Sequence, residues 1–423
     1  MTDIAPQRIA VIGAGISGLV VADRLDRDHD VTLIEADTRP GGHTHTVEVD
    51  DPRGPLAIDT GFIVFNEHNY PCFSDLLDEL GIASQPTDMS FSVRCDRSGL
   101  EWAGSHSLDT VFGQRRNLVR PSFWRMLVDI LRFGREAERI LSEEGNDDLS
   151  VRQFAARGGY GEAFVEHYLL PLGASLWSCP SERFGDFPVR FVIEFLDQHG
   201  MLRMTGRPAW RTVRGGARRY VDALLARWRG ALRLGEPVRA VRRHAEHVEV
   251  TTPTGTERFD EVVLACHADQ ALELLGEDAS RAERELLGAF PYTRNEALLH
   301  TDTGTLPRTC RCWAAWNHRR PTDPDAPAPV TYNMNILQRL PAAQTWCLTL
   351  DGADYVDPAR VVRRIEYHHP QYTPARAAAQ ARHHELIRTH RTSFCGAYWG
   401  FGFHEDGVRS GLAVADAFAE PAP

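Results

Sequence analysis

The sequence predicts an α/β protein (α+β overall) in two parts. One is a Rossmann-like domain assembled from discontinuous segments; the other combines a mixed sheet with helices. Three observations lead there. Residues 8–35 read as strand, glycine turn, helix and strand. A strand-rich texture returns far along the chain, at 212–270. Between and after these stretches lie helical runs at 70–200 and short strand candidates at 290–350. With 423 residues, 43% hydrophobic and 25% charged, the chain can bury two cores.

The elements follow in order. RIAVI at 8–12 is a short β-branched run. GAGISG at 13–18 turns the chain, LVVADRL at 19–25 has helical apolar spacing, and VTLIE at 31–35 is a second strand. Residues 76–80 and 123–141 read as helices, with a hairpin at 90–102 that turns near Ser98-Gly99. Two or three helices are expected in 151–200, broken at Pro171, Pro180 and Pro188. A turn and helix at 212–228 precede strands that include a hairpin at Thr254-Gly255. Short strands are expected at 296–300, 311–317, 329–337 and 345–350, and an exposed proline-rich loop at 319–329. Residues 359–390 read as helical and His-rich; a glycine-rich turn from 394 then leads to a helix over 410–418. The expected division assigns 1–70, 205–285 and 385–423 to the first domain, and 71–204 and 286–384 to the second.

Composition removes several functions. The net charge is −11, which argues against a nucleic-acid partner. All 47 basic residues are arginine. Without lysine there is no Schiff-base chemistry and no P-loop. No run of 18 apolar residues exists to span a membrane. The first 20 residues hold a glycine turn that must stay in the folded product, so no cleaved leader is expected. The eight scattered cysteines read as reduced thiols, and the expected location is the cytoplasm or the inner face of its membrane. The pairs His368-His369 and His383-His384 read as polar helix faces, and no metal is expected. The arginine-rich 214–243 stretch reads as solvated surface, with contact to anionic lipid head groups as the alternative. The oligomeric state is left open.

The glycine turn carries chemistry. Gly13 permits the tight turn, Gly15 lets a pyrophosphate approach the backbone beside Ala14, Ile16 and Ser17, and Gly18 allows close helix–strand packing. The opening helix offers unpaired N–H groups to phosphates. Glu35, with Ala36 after it, ends the second strand where an acid can bind ribose hydroxyls. A second glycine pair, Gly41-Gly42, with His43 and Thr44, follows directly. It brings the chain past the same pyrophosphate again, as FAD rather than NAD sites require.

This arrangement resembles the flavin-containing amine oxidase and phytoene desaturase superfamily. Asp59-Thr60-Gly61-Phe62-Ile63 resembles the strand beside the isoalloxazine ring. Gly215-Gly216 with Tyr220-Val221-Asp222 resembles the turn back to the FAD domain, and Val238 the backbone contact to adenine. The stretch Gly396, Ala397, Tyr398 through Asp406, Gly407 and Val408 resembles the C-terminal FAD motif, whose helix begins at the flavin C2 carbonyl. DTGFIVFN, DMSFSV, WAAWNH, YNMN-x-LQ and CGAYWGFGFHEDG look like the branch found beside cyclopropane-fatty-acid synthases. That resemblance implies FAD, an acyl-lipid substrate and peripheral membrane contact. Many amine oxidases carry a lysine near flavin N5, and this chain cannot.

Catalytic candidates sit in the same motif. His404 is expected as proton acceptor because histidine titrates near working pH, with Glu405 beside it. Asp406 is expected at the ribityl chain or phosphate, and Tyr398, Trp399 and Phe403 at the substrate. The leading expectation is an FAD-dependent oxidoreductase removing hydride from a hydrophobic, fatty-acyl substrate. An amine oxidase and a non-catalytic lipid carrier of the GDP-dissociation-inhibitor type are the alternatives.

Overall fold

The computed structural model describes residues 5–104, 107–142, 149–177, 179, 181–202, 208–323, 326 and 328–419. Strands β1 (Arg8–Ile12), β2 (Asp30–Ile34), β3 (Ala231–Arg233), β4 (Glu261–Leu264) and β5 (Thr392–Phe394) form a five-stranded parallel sheet ordered β5-β4-β1-β2-β3. After its first residue β1 is wholly buried, as a parallel strand covered on both faces must be. Helix α1 (Ile16–Leu25) covers one face and packs against the C-terminal helix.

A seven-stranded mixed sheet forms the second layer system, ordered Val361–Pro370, Tyr292–His300, Cys347–Leu350, Val330–Asn333, Trp316–Arg320, Phe91–Cys95, Glu101–Gly104. Trp316–Arg320 and Phe91–Cys95 run parallel; the other neighbours are antiparallel. Five further helices matter below: α2 (Pro71–Glu79), α3 (Pro121–Ser142), α4 (Val189–Gln198), α5 (Arg218–Arg227) and α6 (His404–Ala417). Among the described residues no helix is long and apolar enough to cross a membrane. All eight cysteines are free.

Four expectations are corrected. Residues 359–390 are not one helix, because Val361–Pro370 is a strand paired along Tyr292–His300. The β-branched and aromatic residues Val361, Val362, Ile365 and Tyr367 suit that edge position. Residues 311–317 are largely non-strand: Cys310–Cys312 is a 3₁₀ turn and the strand begins at Trp316.

Pro171 does not break its helix. A π-helical segment, Val165–Leu169, precedes the α-helical Leu170–Trp177. The carbonyl four residues before the proline, that of His167, accepts the Trp102 indole N–H at 3.0 Å, and Glu166 O accepts from Arg320 at 2.9 Å. The freed acceptors are thus satisfied by neighbouring strands, which removes the usual penalty. Pro188 does stop the chain and caps α4, while Pro180 lies outside the described residues. Finally, the last helix begins at His404 rather than 410, so His404, Glu405 and Asp406 form its first turn.

Candidate functional site

The carboxyl ends of β1, β2, β4 and β5 meet at one edge of the parallel sheet, the usual ligand edge of such folds. Gly13, at φ +104°, turns the chain there and donates its N–H to Ile34 O at 2.8 Å. A Cβ on Gly18 would lie 1.9 Å from Gly13 O, so packing alone requires that glycine. Gly15 differs. Its φ of −71° suits any residue, and a Cβ there meets no heavy atom within 4 Å. Nothing in the protein itself requires a glycine at 15.

The second glycine turn lies against the first. Gly41 N–H donates to Ala14 O at 2.7 Å, and a Cβ on Gly42 would reach 3.1 Å from Gly15 Cα. The Glu35 carboxylate accepts from Ala14 N–H at 2.7 Å and Asp37 N–H at 2.8 Å, beside exposed Ala36. The chain after β3 runs along this edge, with Glu236 N–H donating to Glu35 O at 3.0 Å and Val238 packed on the core that holds Ile12 and Ile34.

The strand end after Asp59 continues the site. Phe62 N–H donates to His43 O at 2.8 Å, and the Thr60 hydroxyl lies 2.9 Å from that of Tyr367. A Cβ on Gly61 would sit 2.1 Å from His43 O. Ile63 is buried, and its carbonyl accepts from Thr212 at 2.9 Å. Helix α6 enters from the other side. A Cβ on Gly407 would lie 2.7 Å from Ile16 Cγ2, so the N-termini of α1 and α6 abut, with Val408 buried behind them. Two positive helix ends thereby face one region.

One buried polar atom of the second glycine turn, His43 Nε2, has no partner. Burial pushes the His43 imidazolium well down, so the ring is neutral at neutral pH. Open space at Gly15, the unspent His43 Nε2 and paired helix N-termini fit a large anionic dinucleotide.

The acid–base candidates sit differently from expectation. His404 is buried, its ring stacked 3.7 Å over Phe62, with Nε2 2.8 Å from the Tyr220 hydroxyl and 3.3 Å from that of Thr44. Burial pushes it down to about 3, which removes the reason for choosing it as a base near neutral pH. Glu405 accepts from Cys72 N–H at 3.1 Å and Phe73 N–H at 3.0 Å, so both its oxygens cap α2. Asp406 Oδ2 accepts from Phe403 N–H at 2.9 Å and caps its own helix; burial pushes it up to about 6.

The aromatic candidates divide. Trp399 and Phe403 line a cleft of about 360 Å³ between α6, the end of α4 and the Asn69-Tyr70 turn. Tyr398 does not; it is enclosed in the core against Phe290, with its ring folded back over Gly396. The Gly396 N–H donates to Ser410 Oγ at 3.0 Å.

Asp59, which the sequence places in the strand before Thr60 without a role of its own, is wholly buried. It accepts from Thr46 at 2.5 Å, Ala217 N–H at 2.9 Å and Gln338 Nε2 at 3.0 Å. It therefore ties the glycine-turn region to α5 and to the mixed-sheet side. Burial outweighs the hydrogen bonds from Thr46 and Ala217 and pushes its carboxyl from 3.8 up to about 7. Unfolding then releases a proton between about pH 4 and pH 7. The contribution of Asp59 to stability falls as pH rises through that window and levels off above it, by about 4 kcal/mol in all. Urea unfolding at pH 5 and pH 8 should show the wild type losing more stability, or gaining less, with rising pH than Asp59→Asn, since the histidines that burial keeps neutral act in the opposite sense equally in both proteins.

Known proteins supply the context. The overall structure superposes on a candidate protoporphyrinogen oxidase from Exiguobacterium sp. 255-15 with TM-score 0.67, at 17% identity over 98% of this chain and 99% of that one. A CLA-producing fatty acid isomerase from P. acnes gives 0.66, at 16% identity over 97% and 98%. Cyclohexylamine oxidase from Brevibacterium oxydans IH-35A gives 0.67, at 14% identity over 98% and 100%. At these identities the likeness is one of fold. A curated relative, the L-amino-acid oxidase of Mus musculus, is 52% identical over 42 residues, which span 10% of this chain and only 7% of that protein. Residues 16–326, well over half of the chain, match the family described as flavin containing amine oxidoreductase. The chain belongs to that family and is an FAD-dependent oxidoreductase.

Proposed function

We propose that this enzyme removes hydride from a C–H bond of a hydrophobic, fatty-acyl substrate. The observation that carries the reading is an aromatic tier joining the helical region to the first turn of α6. Phe195 stacks on Phe403 at 5.3 Å, Phe191 lies 5.7 Å from Phe401, and Tyr372 lies 4.8 Å from Phe191. Such a wall presents apolar surface to a chain of methylenes and excludes water. The resemblance of the DTGFIVFN and CGAYWGFGFHEDG segments to the cyclopropane-fatty-acid-synthase-associated branch supports the same substrate class. The same fold also serves a protein named as a fatty acid isomerase.

In this reading the turns at Gly13–Ser17 and Gly41–Thr44 hold the pyrophosphate, Glu35 the ribose and Val238 the adenine. Thr60–Ile63 and the N-terminus of α6 are the residues that would hold the flavin ring. FAD when bound would accept the hydride, and the proton lost from the adjacent carbon would pass to bulk solvent. The chain's own residues position the C–H bond and keep the pocket dry. His404 and Glu405, already committed to Tyr220 and to α2, hold the first turn of α6 in shape rather than taking a proton.

An amine oxidase is the second reading, favoured by the names of several structural relatives. The missing lysine weighs against it. Mass spectrometry of lipids from a host with and without the gene separates the two. The acyl reading expects lipid species lighter by two hydrogens; an unchanged lipid profile together with amine-dependent peroxide formation would overturn it.

A further inference from the structure

Large apolar side chains left in water are concentrated in one stretch. Of the eight among the described residues, six lie between 108 and 131: Leu108, Leu118, Val119, Trp124, Val128 and Leu131. Val119 is 83% exposed, Leu108 75% and Val128 61%. They form one surface. The Trp124 indole N–H donates to Leu118 O at 2.9 Å, and its ring lies 5.1 Å from Phe112 beside Leu108. Trp124, Val128 and Leu131 recur at i, i+4 and i+7 along the outer face of α3. The inner face of the same helix is spent on the core through Phe123, Met126 and Phe133. The outer stripe therefore contributes nothing to holding the helix down.

The charge around this stripe opposes that of the chain. Residues 108–135 hold six arginines against Asp109 and Asp129, a net +4 in a protein of net −11. Among the described residues neither Arg116 nor Arg120 has a carboxylate within ion-pair distance. Nine arginines lie in 214–243, and among the described residues five of them pair with carboxylates, including Arg218 with Glu48 at 2.9 Å, Arg227 with Asp23 at 2.5 Å and Arg243 with Glu283 at 2.5 Å. Among the large apolar side chains of that stretch only Leu234 is exposed, so the face that is both basic and apolar lies at 108–135.

We propose that this face docks the enzyme on the surface of an anionic lipid bilayer. Trp124, Val128, Leu131 and Val119 enter the headgroup–acyl boundary while the arginines meet lipid phosphates. A second copy of the chain is the poorer occupant, since pairing this face with itself brings two +4 surfaces together. The proposal goes beyond the acyl-substrate reading and stands without it.

Flotation of the flavin-loaded protein with vesicles tests it. Vesicles of phosphatidylcholine with phosphatidylglycerol should carry the protein, and pure phosphatidylcholine should carry much less. Trp124→Glu with Val128→Glu should weaken binding by at least about tenfold, because each large apolar side chain withdrawn from water is worth roughly that factor. Arg116→Glu with Arg120→Glu should lower binding to the anionic vesicles alone. Both variants should keep wild-type flavin content and melting temperature. The proposal is overturned if the wild type fails to float with anionic vesicles, or if Trp124→Glu/Val128→Glu floats like the wild type. A dimer that this variant dissociates, with no vesicle binding, would also overturn it and assign the face to a second copy. Turnover of detergent-dispersed lipid needs no docking, so its outcome judges the substrate reading separately.

Discussion

Gly15→Val is expected to give a folded protein that carries no flavin. The backbone at Gly15 has φ −71°, ordinary for any residue, and a Cβ there meets no protein atom within 4 Å. The fold leaves room for a side chain there, whereas a pyrophosphate held between the two glycine turns would not. Gly18→Ala is the contrast, because its Cβ would lie 1.9 Å from Gly13 O and the defect would fall on folding. Visible absorbance per mole of purified protein reads the first effect and thermal melting the second. Gly15→Val should lose only the stabilisation that bound cofactor supplies, about 4 kcal/mol at a thousandfold excess over Kd. Flavin bound at the wild-type ratio in Gly15→Val would show that the two glycine turns do not hold the pyrophosphate.

Glu405→Ala should be costly to stability, by about 3 kcal/mol, because two buried N–H groups at the start of α2 lose a charged acceptor. Glu405→Gln keeps one acceptor oxygen and should cost less than half of that. Its flavin reduction by substrate should stay within a few-fold of the wild type, whereas loss of a general base costs about 10²–10⁴. His404→Ala should likewise leave no missing ionisation in the pH profile between pH 6 and pH 9, since the ring is held near 3 by burial. A fall of about a hundredfold or more in Glu405→Gln, with α2 intact by amide exchange, would return Glu405 to the role of base.

The parts of the molecule legible in the sequence are those decided locally. The turn from Gly13 to Gly18 follows from glycine spacing between a strand and a helix, and the structure places it at the end of β1. The hairpin of Phe91–Cys95 and Glu101–Gly104 follows from two short runs around Ser98-Gly99. The misread parts are decided by distant partners. Val361–Pro370 is a strand because Tyr292–His300, some 70 residues earlier, pairs along it. Pro171 is tolerated because Trp102 and Arg320 take the freed carbonyls. The role of Glu405 is set by Cys72 and Phe73, more than 300 residues away, and that of His404 by Tyr220. Residue type and motif position place both at the right turn, but neither can say that the turn is already committed. The one sequence signal for Asp59 is an acid that closes an otherwise apolar strand, Gly54–Asp59.

The central claim is that the chain builds an FAD site whose aromatic approach suits an acyl C–H bond. Anaerobic mixing of the flavin-loaded enzyme with detergent-dispersed fatty-acyl phospholipid, followed at the flavin's visible absorbance, tests it most directly. Bleaching by the acyl lipid is expected, with primary amines leaving the oxidised spectrum unchanged. Bleaching by amines while acyl lipids of every chain length leave the flavin oxidised would contradict it.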